Sequence, residues 1–373
     1  MWLDALRGLA AFMVILQHWR YMFFCDLHEI PAHRALYLVP YVVTSGGRGA
    51  VIVFFVLSGF LVGSSALRSF ERDSWGWRRY LTHRFVRLWV VLLPALLLGW
   101  IWDETRLHLA STLAGYGGTS AARVDPHIVP GVFSLKVLFA NALFLQGDTL
   151  PTFGSNGPLW SLSYEFWYYI LFPLALCGLW SRYRPHPRIL SLIGLILTAI
   201  FVEQFVSVSV LVLFPAWLAG ASLHFAPRPM LRASFRWVAT MLFALCFFCE
   251  VPLKLHHPLL ADYSTAIATG LLLWVLTSDL RVAPQHRFYV RASRAAARFS
   301  YTLYLVHLPL MLLLAGFLIH NSNWLPNALH LLTGIAVLIV VIGYAWVVAT
   351  FTEFRTDAVR HWIELKFRNF SPN

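Results

Sequence analysis

Charge is what this chain has least of. Only 12% of its 373 residues are Asp, Glu, Lys or Arg, about half the share of an ordinary soluble domain. That argues against a water-soluble globular fold. Cysteine is scarce as well: Cys25, Cys177, Cys246 and Cys249 make no disulfide framework. Cys246 and Cys249 form a CxxC, but inside an apolar run, where packing is expected rather than metal or redox chemistry. No internal repeat is present, so a transporter built from duplicated halves gains no support. A secretory leader is not expected either, since a basic n-region is missing and Asp4, Arg7 and His18 interrupt any apolar core. The first stretch reads as a retained membrane span.

What is present is apolar: 59% hydrophobic residues, 16% aromatic and a mean hydropathy of +0.66. Long runs at about 3–23, 48–67, 85–102, 160–179, 189–206, 209–226, 236–250, 261–278, 298–320 and 327–350 predict an all-α, polytopic transmembrane bundle of about ten spans. A further run at 133–147 is too short to span comfortably and reads as re-entrant or interfacial. The net charge of +12 lies in short clusters between the runs, a pattern of membrane orientation rather than of nucleic-acid binding. With both termini cytoplasmic, only Arg20, Arg34, Arg48, Arg106, Arg123, Lys136 and Lys254 fall outside, and the other 22 of the 29 basic residues fall inside. Counting 133–147 as a span would destroy that asymmetry.

Residues 1–350 are therefore expected to form the membrane domain. Residues 351–373 form a basic cytoplasmic tail whose mix of Arg, Trp, Phe and Lys suits an interfacial helix. The longest outer segment, 103–159, includes Gly115-Tyr116-Gly117-Gly118 and is either an acceptor-binding loop or a connector.

Ionisable groups within spans are costly and are functional candidates by default. Arg7 and His18 are eleven positions apart, close to three helical turns, so they share a face at roughly 16 Å separation. A neutral imidazole at His18 suits general-base chemistry; a histidine satisfied within the bundle is the other reading. In Phe54-Phe55-Val56-Leu57-Ser58-Gly59-Phe60, Ser58 either permits close helix approach or bonds a ligand. Arg84 and Arg87, in the loop before the third span, share a face and form either an orientation signal or an anchor for a phosphorylated cytosolic ligand. The fourth span opens Gly157-Pro158-Leu159-Trp160-Ser161-Leu162-Ser163-Tyr164-Glu165, where Glu165 needs a partner from another helix and His18 is a candidate. The ninth carries Ser300, Tyr304 and His307 as one polar stripe.

Together these segments resemble the acyltransferase family 3 of bacterial membrane proteins. The resemblance runs over about residues 3 to 350. It rests on Leu-Asp-Ala-Leu-Arg-Gly with the Arg7–His18 spacing, Phe-Phe-Val-Leu-Ser-Gly-Phe, Arg84/Arg87, Gly-Pro-Leu-Trp-Ser-Leu-Ser-Tyr-Glu and Ser-Tyr-Thr-Leu-Tyr-Leu-Val-His, in that order. It implies ten spans in a bacterial cytoplasmic membrane and transfer of an acyl group, usually acetyl, from cytosolic acyl-CoA to a hydroxyl. The acceptor is a sugar, glycan, glycolipid or small hydroxylated molecule. Polysaccharide modification is the expected role, with no metal and no nucleic acid involved. Arg7 and His18 match the family's catalytic pair, and Arg84 and Arg87 its arginine motif for the CoA donor. Ile52, Val90 and Phe166 stand where many members have an acidic residue, a proline and a second acidic residue.

The expected site is then His18, Arg7, Glu165 and His307 for chemistry, Arg84, Arg87 and Arg7 for acetyl-CoA, and Ser58, Ser161, Ser163 and Tyr304 for the acceptor. His18 takes the hydroxyl proton, or relays the acyl group covalently. The competing expectation is a proton-coupled transporter or flippase using His18, Glu165 and His307.

Overall fold

A computed structural model describes residues 2–112, 131–180, 185–229, 231, 233–278, 287–319 and 322–369. The Gly115–Gly118 segment lies outside the described residues, as do Arg123, Arg182, Arg184, Arg232 and Arg281. The described chain is all-α, with one isolated bridge, Phe24 to Trp324.

Helix α1 is Trp2–Phe23 and α2 is Arg34–Val43. α3, Gly47–Ser58, passes through a π-helical turn, Gly59–Gly63, into α4, Ser64–Glu71. α5 is Trp77–Thr112, α6 Leu135–Ala142, α7 Leu159–Leu179, α8 Pro185–Phe205 and α9 Val208–Ser222. α10 is Ala233–His256, α11 Pro258–Ser278, α12 Arg287–Arg298, α13 Ser300–Leu318, α14 Ala328–Phe351 and α15 Thr356–Asn369.

All ten predicted apolar runs coincide with helices. Among the described residues, seven helices are long and apolar enough to cross a membrane: 34–71, 77–109, 159–179, 186–205, 258–278, 300–318 and 328–366. At 133–147 an eight-residue helix, α6, is about 12 Å long and cannot span. It turns back at Phe144, where φ is 60°. The segment Trp77–Leu88, expected as a loop, is instead the first turns of α5. That 36-residue helix runs about 54 Å, well past the hydrocarbon thickness. Its arginines extend the helix out of the apolar layer rather than ending it.

The axis is α13, buried over most of its length, with α1, α5 and α14 packed around it. Beyond their ends, the Cys25 N–H donates to the Trp324 carbonyl (3.1 Å) and the Trp324 N–H to the Phe23 carbonyl (2.8 Å). This parallel bridge shows that α1 and α13 finish at the same end of the bundle. Helices α3 and α9 lie so close that a Cβ on Gly59, just past the end of α3, would strike the Trp217 carbonyl, and one on Gly220 the Val56 carbonyl. Near the start of α1, α12 lies across Gly8, with Arg291, Arg294 and Arg298 on its exposed side. α15 docks on α5, where His83 Nε2 and Glu364 Oε1 are 2.7 Å apart.

Candidate active site

Five helices, α1, α3, α5, α7 and α13, bring most of the predicted polar residues to one place. A cavity of about 210 Å³ is lined by Arg7 of α1, Ser58 of α3, Arg84 and Arg87 of α5, and Glu165 of α7. Ser161, Tyr169, Ser300, Tyr301 and Tyr304 complete its polar wall. Each helix contributes at helical spacing: Ser161, Glu165 and Tyr169 recur every four residues on α7, and Ser300 and Tyr304 do the same on α13.

Within the cavity, Glu165 Oε1 accepts hydrogen bonds from the Ser58 hydroxyl (2.8 Å) and from the Tyr169 hydroxyl. Trp217 Nε1–H donates to Ser58 Oγ at 3.2 Å. The Ser161 and Tyr304 hydroxyls are 2.7 Å apart. Arg84 lies over the rings of Tyr80 and Tyr169 at 5.7 and 5.9 Å. Its Nε is buried and has no hydrogen-bond partner among the described residues. A buried cationic donor without an acceptor is expensive, which makes this guanidinium a candidate anion binder. Arg84 also lines a second, polar cavity of about 350 Å³ with Arg68, Arg72, Arg79 and His83. One arginine thus joins a basic chamber to the apolar-walled one.

Farther along α1 and α13 lies the histidine pair. His18 Nδ1 and His307 Nε2 are 2.9 Å apart, with the rings stacked at 5.1 Å between centroids. His307 is fully buried, and its Nδ1 faces the carbonyls of Leu303 (3.1 Å) and Tyr304 (2.9 Å). Carbonyl oxygens only accept, so Nδ1 of His307 carries the hydrogen, and its neutral ring offers Nε2 as an acceptor. His18 must then donate through Nδ1–H. That leaves His18 Nε2 as a lone pair with no protein hydrogen bond among the described residues, which is the tautomer a general base needs.

Arg7, Arg84, Arg87, Ser58, Ser161, Glu165 and Tyr304 therefore meet in one cavity. His18 and His307 meet each other beyond its wall, with the Tyr304 ring 6.3 Å from that of His307. Two expectations are corrected. Ser163 is fully buried and donates to the Phe144 carbonyl at 2.8 Å; it holds the turn after α6 and lines neither of the two cavities. Glu165 does not pair with His18, because it sits beside Arg7 at the arginine end of the bundle and is already held by Ser58 and Tyr169.

Two contributors were not anticipated. Tyr169 follows Glu165 by one turn, and that spacing would have revealed it. Glu353 had no local signal: it follows the last span on a 3₁₀ turn and accepts the Thr302 N–H and hydroxyl, each at 2.9 Å. From there it caps the first turn of α13 and feels the charges of Arg87 and Arg7. No group of three or more His, Cys, Asp or Glu side chains suited to a metal occurs among the described residues.

No curated protein and no solved structure matches the chain. A family model does, over residues 1–349, and its description is an acyltransferase domain. With that match covering nearly the whole sequence, the chain belongs to the acyltransferase family 3.

Proposed function

We propose that this acyltransferase moves an acetyl group from cytosolic acetyl-CoA to a hydroxyl of a sugar, glycan or related acceptor on the other side of a bacterial cytoplasmic membrane. In this reading ten spans cross the bilayer and both termini are cytoplasmic. The observation that carries the proposal is the histidine pair, with His18 Nε2 left as a free base, reached past a cavity whose entrance is basic.

The donor's phosphates bind Arg84 and its neighbours Arg68, Arg72 and Arg79 in the polar chamber, with Arg87 and Arg7 on the inner side. Guanidinium groups suit phosphate through paired N–H donors. The pantetheine arm then fits the narrower cavity, whose lining includes Val51, Phe54, Phe55 and Leu61. His18 Nε2 takes the proton of the acceptor hydroxyl. The oxygen attacks the thioester carbonyl, a C–O bond forms as the C–S bond breaks, and the proton passes to the departing sulfur. His307 holds the base in its productive tautomer, while Glu165 fixes Ser58 and Tyr169 and balances the arginine charge.

Purified protein supplied with acetyl-labelled CoA and cell-envelope glycans tests this directly. Label is expected in alkali-labile ester linkage on a glycan. Passage of a substrate across a vesicle membrane without covalent change would instead identify a carrier.

A further inference from the structure

The cavity does not end at its lining. On α3 and the π-helical turn after it, Val51, Phe55, Ser58 and Val62 form the stripe that faces it, and Arg48 extends that stripe by one turn, away from Arg84 and Arg87. At this end the Gly47 N–H donates to Gln17 Oε1 (2.6 Å), and Gln17 is the chain neighbour of His18. Arg48 therefore stands at the histidine end of the site, opposite the basic entrance.

The groups around Arg48 are arranged for a ligand. Its Nε and Nη2 donate to the two Asp262 oxygens at 2.8 and 2.6 Å, and Asp262 is fully buried. Nη1 has no protein acceptor among the described residues. The guanidinium lies 5.9 Å from the ring of Trp160, the residue before cavity-lining Ser161. Glu250, only 1% exposed, has both carboxylate oxygens buried; the Gly49 N–H on α3 is turned toward it, and no side chain among the described residues donates to it. Arg48, Lys254 and Asp262 are the charges that act on it. Gly49 makes room for the carboxylate, since a Cβ there would lie 2.8 Å from Oε2. A buried carboxylate with no side-chain donor is costly, and donors from a bound molecule would offset that cost.

We propose that Arg48, Glu250 and Trp160, braced by Asp262, form the acceptor site, and that the acceptor is a neutral polyhydroxylated ring such as a pyranose. Two cations and two carboxylates balance within the cluster, so it has no net pull on an ionic ligand, and Glu250 repels an acidic sugar. Vicinal hydroxyls supply the hydroxyl donors that no side chain gives Glu250. Arg48 Nη1 donates to a ring or hydroxyl oxygen, and the indole face of Trp160 packs on sugar C–H groups. The place of this site in catalysis rests on the acyltransferase reading above, but the binding itself does not.

Saturation-transfer NMR on the full-length protein in nanodiscs, with methyl α-D-glucopyranoside as the neutral probe and methyl α-D-glucuronopyranoside as the acidic one, tests it. Wild-type protein should give transfer to the neutral glycoside and little to the acidic one. Glu250→Gln should weaken the neutral signal roughly tenfold or more, the loss expected for a charge-assisted hydrogen bond. Gly49→Ala, which displaces the carboxylate without changing any charge, should do the same. Both variants should bind labelled acetyl-CoA as wild type does, which shows that they are folded. Absence of glycoside binding in wild type, or equal binding in both variants, overturns the acceptor site. Glycoside binding that depends on Glu250, in a protein that does not bind acetyl-CoA, would leave the site standing and refute the acyltransferase mechanism.

Discussion

At His307 two backbone carbonyls decide where the protons of the histidine pair reside. Because Leu303 and Tyr304 each present an oxygen to Nδ1, His307 can serve His18 only as an acceptor, and the base is fixed without a carboxylate. In the proposed reaction this makes His307 a positioning residue. His307→Ala should lower kcat roughly ten- to hundredfold, less than the 10²–10⁴ typical of a general base itself, and leave the donor KM unchanged. His307→Gln still presents an oxygen to His18 Nδ1–H and should recover part of the loss. Steady-state kinetics on both variants check this; equal loss in the two would mean that His307 only fills space. The sequence marked His18 and His307 individually, but their pairing depends on two helices nearly 300 residues apart in the chain. Ser163 was misassigned for the complementary reason: a serine on an apolar helix looks the same whether it faces a cavity or a neighbouring carbonyl.

Helices were the most legible level, since unbroken apolar runs and helical spacing are local properties. Their contacts were less so. Gly59 and Gly220 interlock α3 and α9 through backbone carbonyls, and the π-helical turn Gly59–Gly63 begins at that crossing. Ser58, whose hydroxyl holds Glu165, is the residue just before it. A backbone atom cannot swing aside as a side chain can. Gly220→Ala should therefore destabilise by about the 1–3 kcal/mol of an overpacked core. By contrast, Gly343→Ala on α14, where a Cβ meets nothing within 4 Å, should be neutral or slightly stabilising. Thermal unfolding in detergent separates them; equal transitions would mean that α3 and α9 are free to move apart. The arginine stretch before Leu88 was read as a loop because charge usually ends a span. In α5 the helix simply continues beyond the bilayer, which puts Arg84 and Arg87 on a rigid element.

For the whole molecule, the distribution of basic residues and the geometry point the same way. Arg7, Arg84 and Arg87 gather at one end with the arginine-bearing helix α12, while Arg48 and the histidine pair lie toward the other. Single cysteines introduced at Arg291 and Arg34 in a cysteine-free background should be labelled from opposite sides of the membrane, Arg291 from the cytoplasm. Labelling of both from the same side would overturn the ten-span orientation and the donor path with it. The resemblance seen in the motifs covers the chain as the family match does. What the motifs did not disclose was the division of the candidate site into a basic chamber and a histidine pair, because that division arises only when the five helices are packed together.

The central claim is that His18 is the base for acyl transfer, and one variant tests it most directly. His18→Ala, expressed and inserted as wild type and binding acetyl-CoA normally, should show no transfer of labelled acetyl to any acceptor that the wild-type protein modifies. Transfer at the wild-type rate in that variant would contradict the account.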